Sequence, residues 1–308
     1  MAERSPRPSV SVLMPCLDGG RFLREALESV LGEPEVLELL VADGGSRDGS
    51  LELLRRRAAE DPRLRLVSTS DHGPGDALNR ALAQVRGTVI GWLNADDLYH
   101  RGAPGRAVQA LQAHPRWLLV YGEGEHIDAD GAVLDRYPTR PPDVGLAGFR
   151  DYCFLCQPTV FWRRSLSVLL GGFDTSLQTC FDFEYWIRAF AAFPERIGHI
   201  EVLQGQTRRH AATLSATRLP RAVLEATLLQ ARLGVSGRPH LVMAYVGEIL
   251  SGELPLPAGS SPDRARVELL EIAAGLPWPA EQLAAIEREL EPLRHAAGPE
   301  ALQAIPLP

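Results

Sequence analysis

Two apolar runs that end in acidic loops decide the fold of this chain: VLELLVADGGS at residues 36–46 and VIGWLNADD at residues 89–97. Runs of this kind are typical of strands buried on both faces of a parallel sheet. In an open α/β sheet, ligands bind beyond the carboxyl ends of the strands. Asp43, Asp96 and Asp97 follow such strands, so the sequence predicts a nucleotide site at this edge, with a divalent cation held against phosphate oxygens.

Strands and helices alternate through the first hundred residues. This alternation predicts a doubly wound, mostly parallel α/β sheet. The predicted strands are Val10–Met14, Val36–Ala42, Leu64–Ser68 and Thr88–Leu93, and the predicted helices are Phe22–Leu31, Leu51–Ala59 and Asp76–Gln84.

The second half of the chain mixes elements and then becomes helical. A helix over Pro104–Ala113, a strand over Leu118–Tyr121, a hairpin over Glu123–Tyr137, a helix over Phe181–Phe193 and a strand over Ile197–Gln204 are predicted first. Helices over Pro220–Leu233, Pro239–Leu250, Pro262–Ala274 and Pro279–Ala297 then form an all-helical extension. We expect a catalytic domain over residues 1–216, with a nucleotide half at 8–100 and an acceptor half at 101–216, and the extension over 217–308. The extension is interpreted as a packed appendage, with acceptor recognition, homodimerisation and membrane docking as open alternatives.

Composition excludes several classes of protein. All 32 basic residues are Arg, which rules out a Schiff-base lysine and a P-loop lysine. A net charge of −7 without a basic stripe argues against nucleic-acid binding. The four cysteines are too few for a disulfide framework, and the lone C-x-x-C at Cys153 and Cys156 favours buried thiols over zinc. With no signal peptide or membrane span, we expect a cytoplasmic protein, and peripheral contact with the inner membrane face stays open.

Two loops offer candidate ligands on their residue types alone. Asp43 at a strand end could accept from a uracil imide or a ribose hydroxyl, although Asp-Gly-Gly-Ser is also ordinary turn chemistry. The segment Asn94–Asp97 is more specific, because adjacent carboxylates at the end of a buried strand are costly unless something binds them. The alternative is that Asp97 caps the next segment.

Taken together, the motifs resemble those of family 2 inverting glycosyltransferases of the GT-A fold, close to the group associated with bacterial polysaccharide assembly. The matches keep the family's order over residues 10–210. They are VSVLMP at 10–15, DGGSRDGS at 43–50, GDALN at 75–79, GWLNADD at 91–97, QPT at 157–159 with GGFD at 171–174, and DFEYWIR at 182–188.

The resemblance implies a donor site. Asp43 would hold the base, Pro15 and Asp18 would line the nucleoside pocket, and the helix start with Gly75 and Asn79 would bind the donor, with Asn79 beside the diphosphate.

The resemblance also implies a metal and a base. Asp96 would be the principal ligand of Mn²⁺ or Mg²⁺, and Asn94 and Asp97 would support ribose, metal or water. Asp182 would be the general base, with a helix N-cap as its alternative. In RRH at 208–210, His210 would close on the metal or diphosphate, and one of the two arginines, for which we choose Arg209, would contact phosphate. Glu184 is predicted to pair with Arg188.

Two residues depart from the family pattern. Asn94 replaces the first carboxylate of the metal motif and lowers the charge there, and Cys156 stands before Gln157 where relatives often have His. The prediction is a metal-assisted inverting glycosyltransferase that uses a nucleoside diphosphate sugar, with UDP favoured. A non-catalytic sugar-nucleotide scaffold or sensor is the alternative, and a nucleotidyltransferase is disfavoured by the missing Lys. Donor sugar, acceptor, linkage and oligomeric state stay open.

Overall fold

The computed structural model describes residues 9–67, 73–150 and 152–232. The chain divides into two units, Met1–His210 and Ala211–Pro308, whereas the sequence placed its boundary at 216/217. In the second unit the described helices span Leu214–Thr217 and Leu219–Arg232, and the second of them corresponds to the predicted Pro220–Leu233. The other three predicted helices of the extension lie outside the described residues. Within the described ranges, no helix is both long and apolar enough to span a membrane.

The elements agree closely with the periodicity of the sequence. The strands are β1 (Val10–Cys16), β2 (Val36–Asp43), β3 (Leu64–Val67), β4 (Val89–Trp92), β5 (Leu98–Tyr99), β6 (Leu119–Ile127), β7 (Val133–Arg136), β8 (Phe161–Arg163) and β9 (Ile197–Arg208). The helices are α1 (Leu23–Leu31), α2 (Ser50–Glu60), α3 (Pro74–Leu82), α4 (Ala103–Ala113), α5 (Arg164–Leu170), α6 (Phe181–Ala192), α7 (Leu214–Thr217) and α8 (Leu219–Arg232). Short 3₁₀ segments lie at Pro142–Arg150, Gln157–Thr159 and Pro194–Arg196.

One mixed sheet organises the described part of the first unit, in the order β3-β2-β1-β4-β8-β6-β9-β5 with β7 paired to β6. The pairs β1–β2, β2–β3, β1–β4 and β6–β9 are parallel, and β8, β5 and β7 are antiparallel to their neighbours. The predicted α/β class is therefore confirmed, and among the described residues the sheet is mixed, with four parallel and four antiparallel strand pairs.

The core lies between the central strands and their flanking helices. Val12 and Met14 of β1 pack with Leu27 and Val30 of α1, all fully buried. Burial of an aliphatic side chain of this size contributes about 1.5–3 kcal/mol, so this layer fixes β1 in the middle of the sheet. The loops after β1, β2 and β4 then meet at one edge.

Candidate active site

The loops after β1 and β2 are tied to each other at the carboxyl edge of the sheet. The Asp18 amide donates to Ser46 Oγ (2.9 Å), and Asp18 Oδ1 accepts from the Arg47 amide (2.7 Å). Asp48 Oδ2 accepts from the Gly20 amide at 2.7 Å. Asp18 has φ 51°, a left-handed conformation that Asp tolerates better than most residues. These bonds hold the two loops together, and the contact of the loops with a nucleoside stays a prediction.

Asp43 sits at the end of β2 with its carboxylate turned into its own loop. Oδ2 accepts from the amides of Gly45 and Ser46, each at 3.1 Å, and Oδ1 accepts from the Ser46 hydroxyl. The side chain is buried, and Gly45 has φ 94°, which favours glycine. Pro15 lies half-buried in β1, opposite Ala42. Asp43 therefore orders the loop, and its contact with a base stays a prediction.

The end of β4 carries a hydrogen-bonded network centred on Asn94. Trp92 Nε1 donates to Asn94 Oδ1 (2.9 Å), and Asn94 Nδ2 donates to Asp97 Oδ2 (3.0 Å) and to Gln157 Oε1 (3.1 Å). Gln157 Nε2 donates to the Trp92 carbonyl at 2.7 Å. Because an indole only donates and a carbonyl only accepts, these partners fix both amide orientations. The Asn94 amide is thus engaged with protein groups.

Asp97 is a buried carboxyl group beneath this network. Its Oδ1 accepts from the Arg208 amide at 2.9 Å. Burial, followed by the neighbouring charge of Asp96, raises the pKa of Asp97 to about 8, against the opposing effect of hydrogen bonds from the Arg208 amide, Asn94 and Thr207. This carboxyl group supports the turn from inside the protein.

Asp96 and His210 form the pair that the sequence predicted as metal ligands. Asp96 Oδ2 lies 3.0 Å from His210 Nε2, and both side chains keep partial exposure. Adjacent ligands of an octahedral ion with bonds of about 2.1 Å are about 3 Å apart, so one divalent cation fits this spacing. Within the described residues no group of three or more His, Cys, Asp or Glu side chains could hold a metal. A cation here would therefore take its other ligands from phosphate oxygens and water, as Mg²⁺ usually does.

The two arginines that the sequence could not separate have different surroundings. Arg208 is buried and donates to the Asp96 carbonyl (2.8 Å) and to Glu25 (2.8 Å). Arg209 is more than half exposed and pairs with Asp135 (3.1 Å) and His126 (3.1 Å) on the β6–β7 hairpin. The structure thus brings Arg208 to the Asp96 turn, whereas the recorded contacts of Arg209 lie on the hairpin, and its predicted phosphate contact stays untested.

Asn79 is also engaged with the protein. Its Nδ2 donates to the Phe173 carbonyl (2.9 Å), and its Oδ1 accepts from the Phe173 amide (2.8 Å). A side chain at Gly172 would collide with this amide. Gly75 is buried in the first turn of α3. Asn79 therefore fastens α3 to the loop before α6, and a contact between Asn79 and the diphosphate stays a prediction.

Asp182 lies half-buried in the first turn of α6. The helix is preceded by Cys180, so Asp182 is not the residue at the N-cap position, and its Oδ1 accepts from the next amide, Phe183 N, at 2.7 Å. Burial raises the pKa of Asp182 to about 6. The predicted ion pair of Glu184 and Arg188 is confirmed at 2.6 Å.

Aromatic rings link Asp182 to the Asn94 network. Trp92 stacks on Phe181 with 5.5 Å between ring centroids and meets Phe173 edge-on at 5.2 Å. The base candidate on α6 and the carboxylates after β4 therefore share one rigid aromatic support. All three rings are buried.

The cysteines have no assigned chemistry. None of the four forms a disulfide; Cys16 and Cys156 are buried, and Cys153 and Cys180 are partly so. Burial, followed by the charge of Asp182, raises the pKa of the Cys153 thiol. Cys156 occupies space left by Gly124, where a side chain would collide with it. This close approach of Cys156 to Gly124 allows the next residue, Gln157, to hydrogen-bond with β4. The sequence alone does not indicate this role for Cys156.

Comparison with known families finds one match within the chain. Residues 11–142 match the sequence profile of glycosyl transferase family 2. The chain is therefore similar to that family over this stretch.

Relatives cover different portions of the chain. It is 26% identical over 198 residues to an uncharacterized glycosyltransferase of Rickettsia bellii, covering 59% of this chain and 27% of the relative. It is 25% identical over 204 residues to chondroitin synthase of Escherichia coli, covering 65% and 29%. A PGL/p-HBAD biosynthesis glycosyltransferase of Mycobacterium tuberculosis is 26% identical over 243 residues, with coverage of 74% and 87%. The match thus spans less than a third of the length of the first two relatives.

Solved structures share the fold. TarS 1–349 of S. aureus in complex with UDP-GlcNAc has a TM-score of 0.59 at 18% identity, covering 97% of this chain and 82% of that one. The mannosyltransferase PcManGT of Pyrobaculum calidifontis, in complex with GDP-Man and Mn²⁺, has a TM-score of 0.58 at 20% identity, covering 94% and 83%. The chain therefore has the GT-A fold.

Proposed function

We propose that this protein transfers a sugar from a nucleoside diphosphate sugar to an acceptor hydroxyl with inversion at the anomeric carbon. One observation carries the proposal: Asp96 Oδ2 and His210 Nε2 meet at 3.0 Å, and the His210 ring packs against Phe22 in the loop after β1. The family of residues 11–142 and the GT-A fold support the same reaction class.

The donor would lie across the carboxyl edge of the sheet. The loops at 17–20 and 44–49, which are hydrogen-bonded to each other, would contact the nucleoside, and the Asp96–His210 pair would lie beside the diphosphate. UDP is the favoured nucleotide, because TarS and the glucosyl-3-phosphoglycerate synthase of Mycobacterium tuberculosis, a structure with a TM-score of 0.52, were solved with UDP or UDP-GlcNAc. PcManGT, solved with GDP-Man, keeps GDP in the test.

Asp96 and His210 would hold Mn²⁺ or Mg²⁺. When bound, the cation would neutralise charge that develops on the leaving diphosphate. The remaining residues position groups around it: Asn94 and Asp97 brace the turn that presents Asp96.

Asp182 would act as the general base. In a single displacement the acceptor hydroxyl loses its proton to the Asp182 carboxylate while its oxygen forms the new bond to the anomeric carbon. The bond from that carbon to the diphosphate breaks on the opposite face, so the configuration inverts. A pKa near 6 leaves the carboxylate ionised at neutral pH and close to the range in which bases are effective.

Calorimetric binding of UDP, GDP and dTDP with and without Mn²⁺ tests the donor site. We expect one nucleotide to bind in a Mn²⁺-dependent manner and Asp96→Ala to lose that dependence. Glu28→Ala is the matched control, because it removes an exposed carboxylate from α1. Absence of nucleotide binding in the wild type would contradict the proposed function, whereas binding without transfer to any acceptor would favour the scaffold alternative.

Asp182→Asn separates binding from transfer. We expect it to bind the donor as the wild type does and to lose transfer in assays of nucleotide release with an acceptor panel. Glu184→Gln, two residues away, should retain transfer. If Asp182→Asn and Asp96→Ala lost donor binding equally, this division of roles would be wrong.

A further inference from the structure

We propose that Arg208, oriented by Glu25, is a positioning residue that holds Asp96 and His210 side by side. The inference rests on the proposed function, since it assigns a support for the proposed cation site. Neither residue touches the reacting atoms in this scheme.

The contacts of Arg208 converge on the turn that carries Asp96. Its Nε donates to the Asp96 carbonyl at 2.8 Å, and its backbone amide donates to the Asp97 carboxylate at 2.9 Å. Its Nη1 donates to the Asp128 carbonyl at 3.2 Å and its Nη2 to Glu25 Oε2 at 2.8 Å. One side chain therefore connects the turn after β4, the start of α1 and the turn after β6.

Phe22 connects Arg208 to His210 as well. The guanidinium lies 4.8 Å from the centroid of the Phe22 ring, and the His210 ring lies 4.5 Å from the same centroid. The Phe22 ring thus contacts both the Arg208 guanidinium and the His210 imidazole, which lie two residues apart in the chain. Movement of Arg208 would shift both members of the Asp96–His210 pair.

Glu25 compensates a charge that is costly to bury. The Arg208 side chain is 1% exposed, whereas that of Glu25 is 57% exposed. A buried guanidinium needs hydrogen-bonding partners and a counter-charge, and Glu25 gives it the carboxylate. Glu25 lies outside every motif that carries the family resemblance, so the sequence pattern gives no sign of this role.

Some residues hydrogen-bond to metal ligands without touching the metal. Mutation of such a residue usually lowers metal affinity by about 10- to 100-fold. A positioning role for Arg208 predicts a loss in the Mn²⁺-dependent part of donor affinity. The metal-free part should persist, because it depends on the loops at 17–20 and 44–49, which hold each other through their own hydrogen bonds. A general weakening of the fold would reduce both parts together.

Calorimetric titration of UDP and GDP, each with and without Mn²⁺, tests the inference on the full chain. Arg208→Lys should lower the Mn²⁺-dependent gain in affinity by about 10- to 100-fold, and Glu25→Ala by a smaller factor. Glu25→Gln keeps a hydrogen-bond acceptor for Arg208 without the counter-charge and should recover part of the loss. Glu28→Ala, on the same helix, should match the wild type.

The outcomes are distinguishable. A Glu25→Ala protein with the wild-type gain, or an Arg208→Lys protein that loses metal-free and Mn²⁺-dependent affinity equally, overturns the inference alone. If Arg208→Lys does not fold, Glu25→Ala decides, since Glu25 is largely exposed. A wild type without Mn²⁺-dependent binding of either nucleotide overturns the proposed function and this inference together.

Discussion

Asp182 is the residue whose ionisation should set the acid limit of activity. Burial raises its pKa to about 6, and a general base must be ionised to accept a proton. We therefore expect kcat/KM to fall below about pH 6, tenfold for each pH unit, and to level off above it. A pH profile of nucleotide release measures this limb, and a profile that stays level down to pH 4.5 would contradict the role.

The raised pKa of Asp182 also affects the free energy of unfolding. A carboxyl whose pKa is higher in the folded than in the unfolded protein contributes stability below its unfolded pKa, near 3.8, and loses it as the pH rises through 6. At pH 8 the ionised Asp182 therefore destabilises the fold. Asp182→Asn should show a higher Tm than the wild type at pH 8, and Glu184→Gln, which breaks an ion pair, a lower one.

Substitution of Asn94 tests whether an amide is required at the first position of the metal motif. Asn94→Asp removes both amide donors and sets a second carboxyl 3.0 Å from that of Asp97. We expect a loss of about 1–3 kcal/mol in unfolding free energy, measured in urea, and no gain in Mn²⁺-dependent nucleotide affinity. Asn94→Ala is the comparison, because it removes the hydrogen bonds without adding a charge. An affinity above that of the wild type would show that the amide limits the metal.

At the residue scale, the sequence names candidate site residues but does not say which groups their side chains contact. Asp96 and His210 were chosen as a pair, and the structure places them in contact across 114 positions of sequence. The sequence does not show which of Arg208 and Arg209 lies at the site. The two differ in burial and in their partners on α1 and on the β6–β7 hairpin, and these partners are far away in the sequence. Gln157 was assigned to the acceptor side, yet its amide also braces β4.

At the element scale, the long periodic segments were predicted well and the short ones were missed. The first four strands and their helices agree with the predictions to within a few residues. The strands β5 and β8 and the helix α5 were not predicted, because two to seven residues are too few to show a period. The strand β9 extends to Arg208, four residues beyond the predicted Gln204, through parallel pairing with β6 that continues to Ile127.

The attachment of α3 to the loop before α6 gives an element-scale prediction. Asn79→Ala removes two hydrogen bonds to the Phe173 backbone, so the free energy of unfolding should fall by about 1–3 kcal/mol. Chemical denaturation measures this loss. Nucleotide affinity is measured at a temperature where the variant stays folded. Unchanged affinity would assign Asn79 to support of the loop, and a tenfold loss would restore its predicted contact with the diphosphate.

At the scale of the whole molecule, one buried acid links three strands of the sheet. It lies at the end of the strands opposite the candidate site. Glu38 on β2 accepts from Ser11 on β1 at 2.7 Å, from the Arg86 amide at 2.6 Å and from Arg65 on β3 at 2.5 Å. Burial opposes ionisation, yet these hydrogen bonds outweigh it and lower the pKa of Glu38 below its usual 4.5. Three adjacent strands therefore share a single carboxylate.

The whole fold should accordingly weaken in acid through Glu38. A carboxyl whose pKa is lowered by folding contributes stability that is present above its unfolded pKa and is lost as the pH falls through the folded one. We expect Tm to fall below pH 4.5 and Glu38→Gln to lower the free energy of unfolding at pH 7 by about 2 kcal/mol, because it weakens charge-assisted hydrogen bonds. Thermal melts of both proteins from pH 7 to pH 3.5 measure this. The difference in Tm between the wild type and Glu38→Gln should narrow as the pH falls, since protonated Glu38 resembles Gln. As a control, Glu52→Gln on the exposed face of α2 should have the Tm of the wild type at each pH. A constant gap across this range would contradict the assignment.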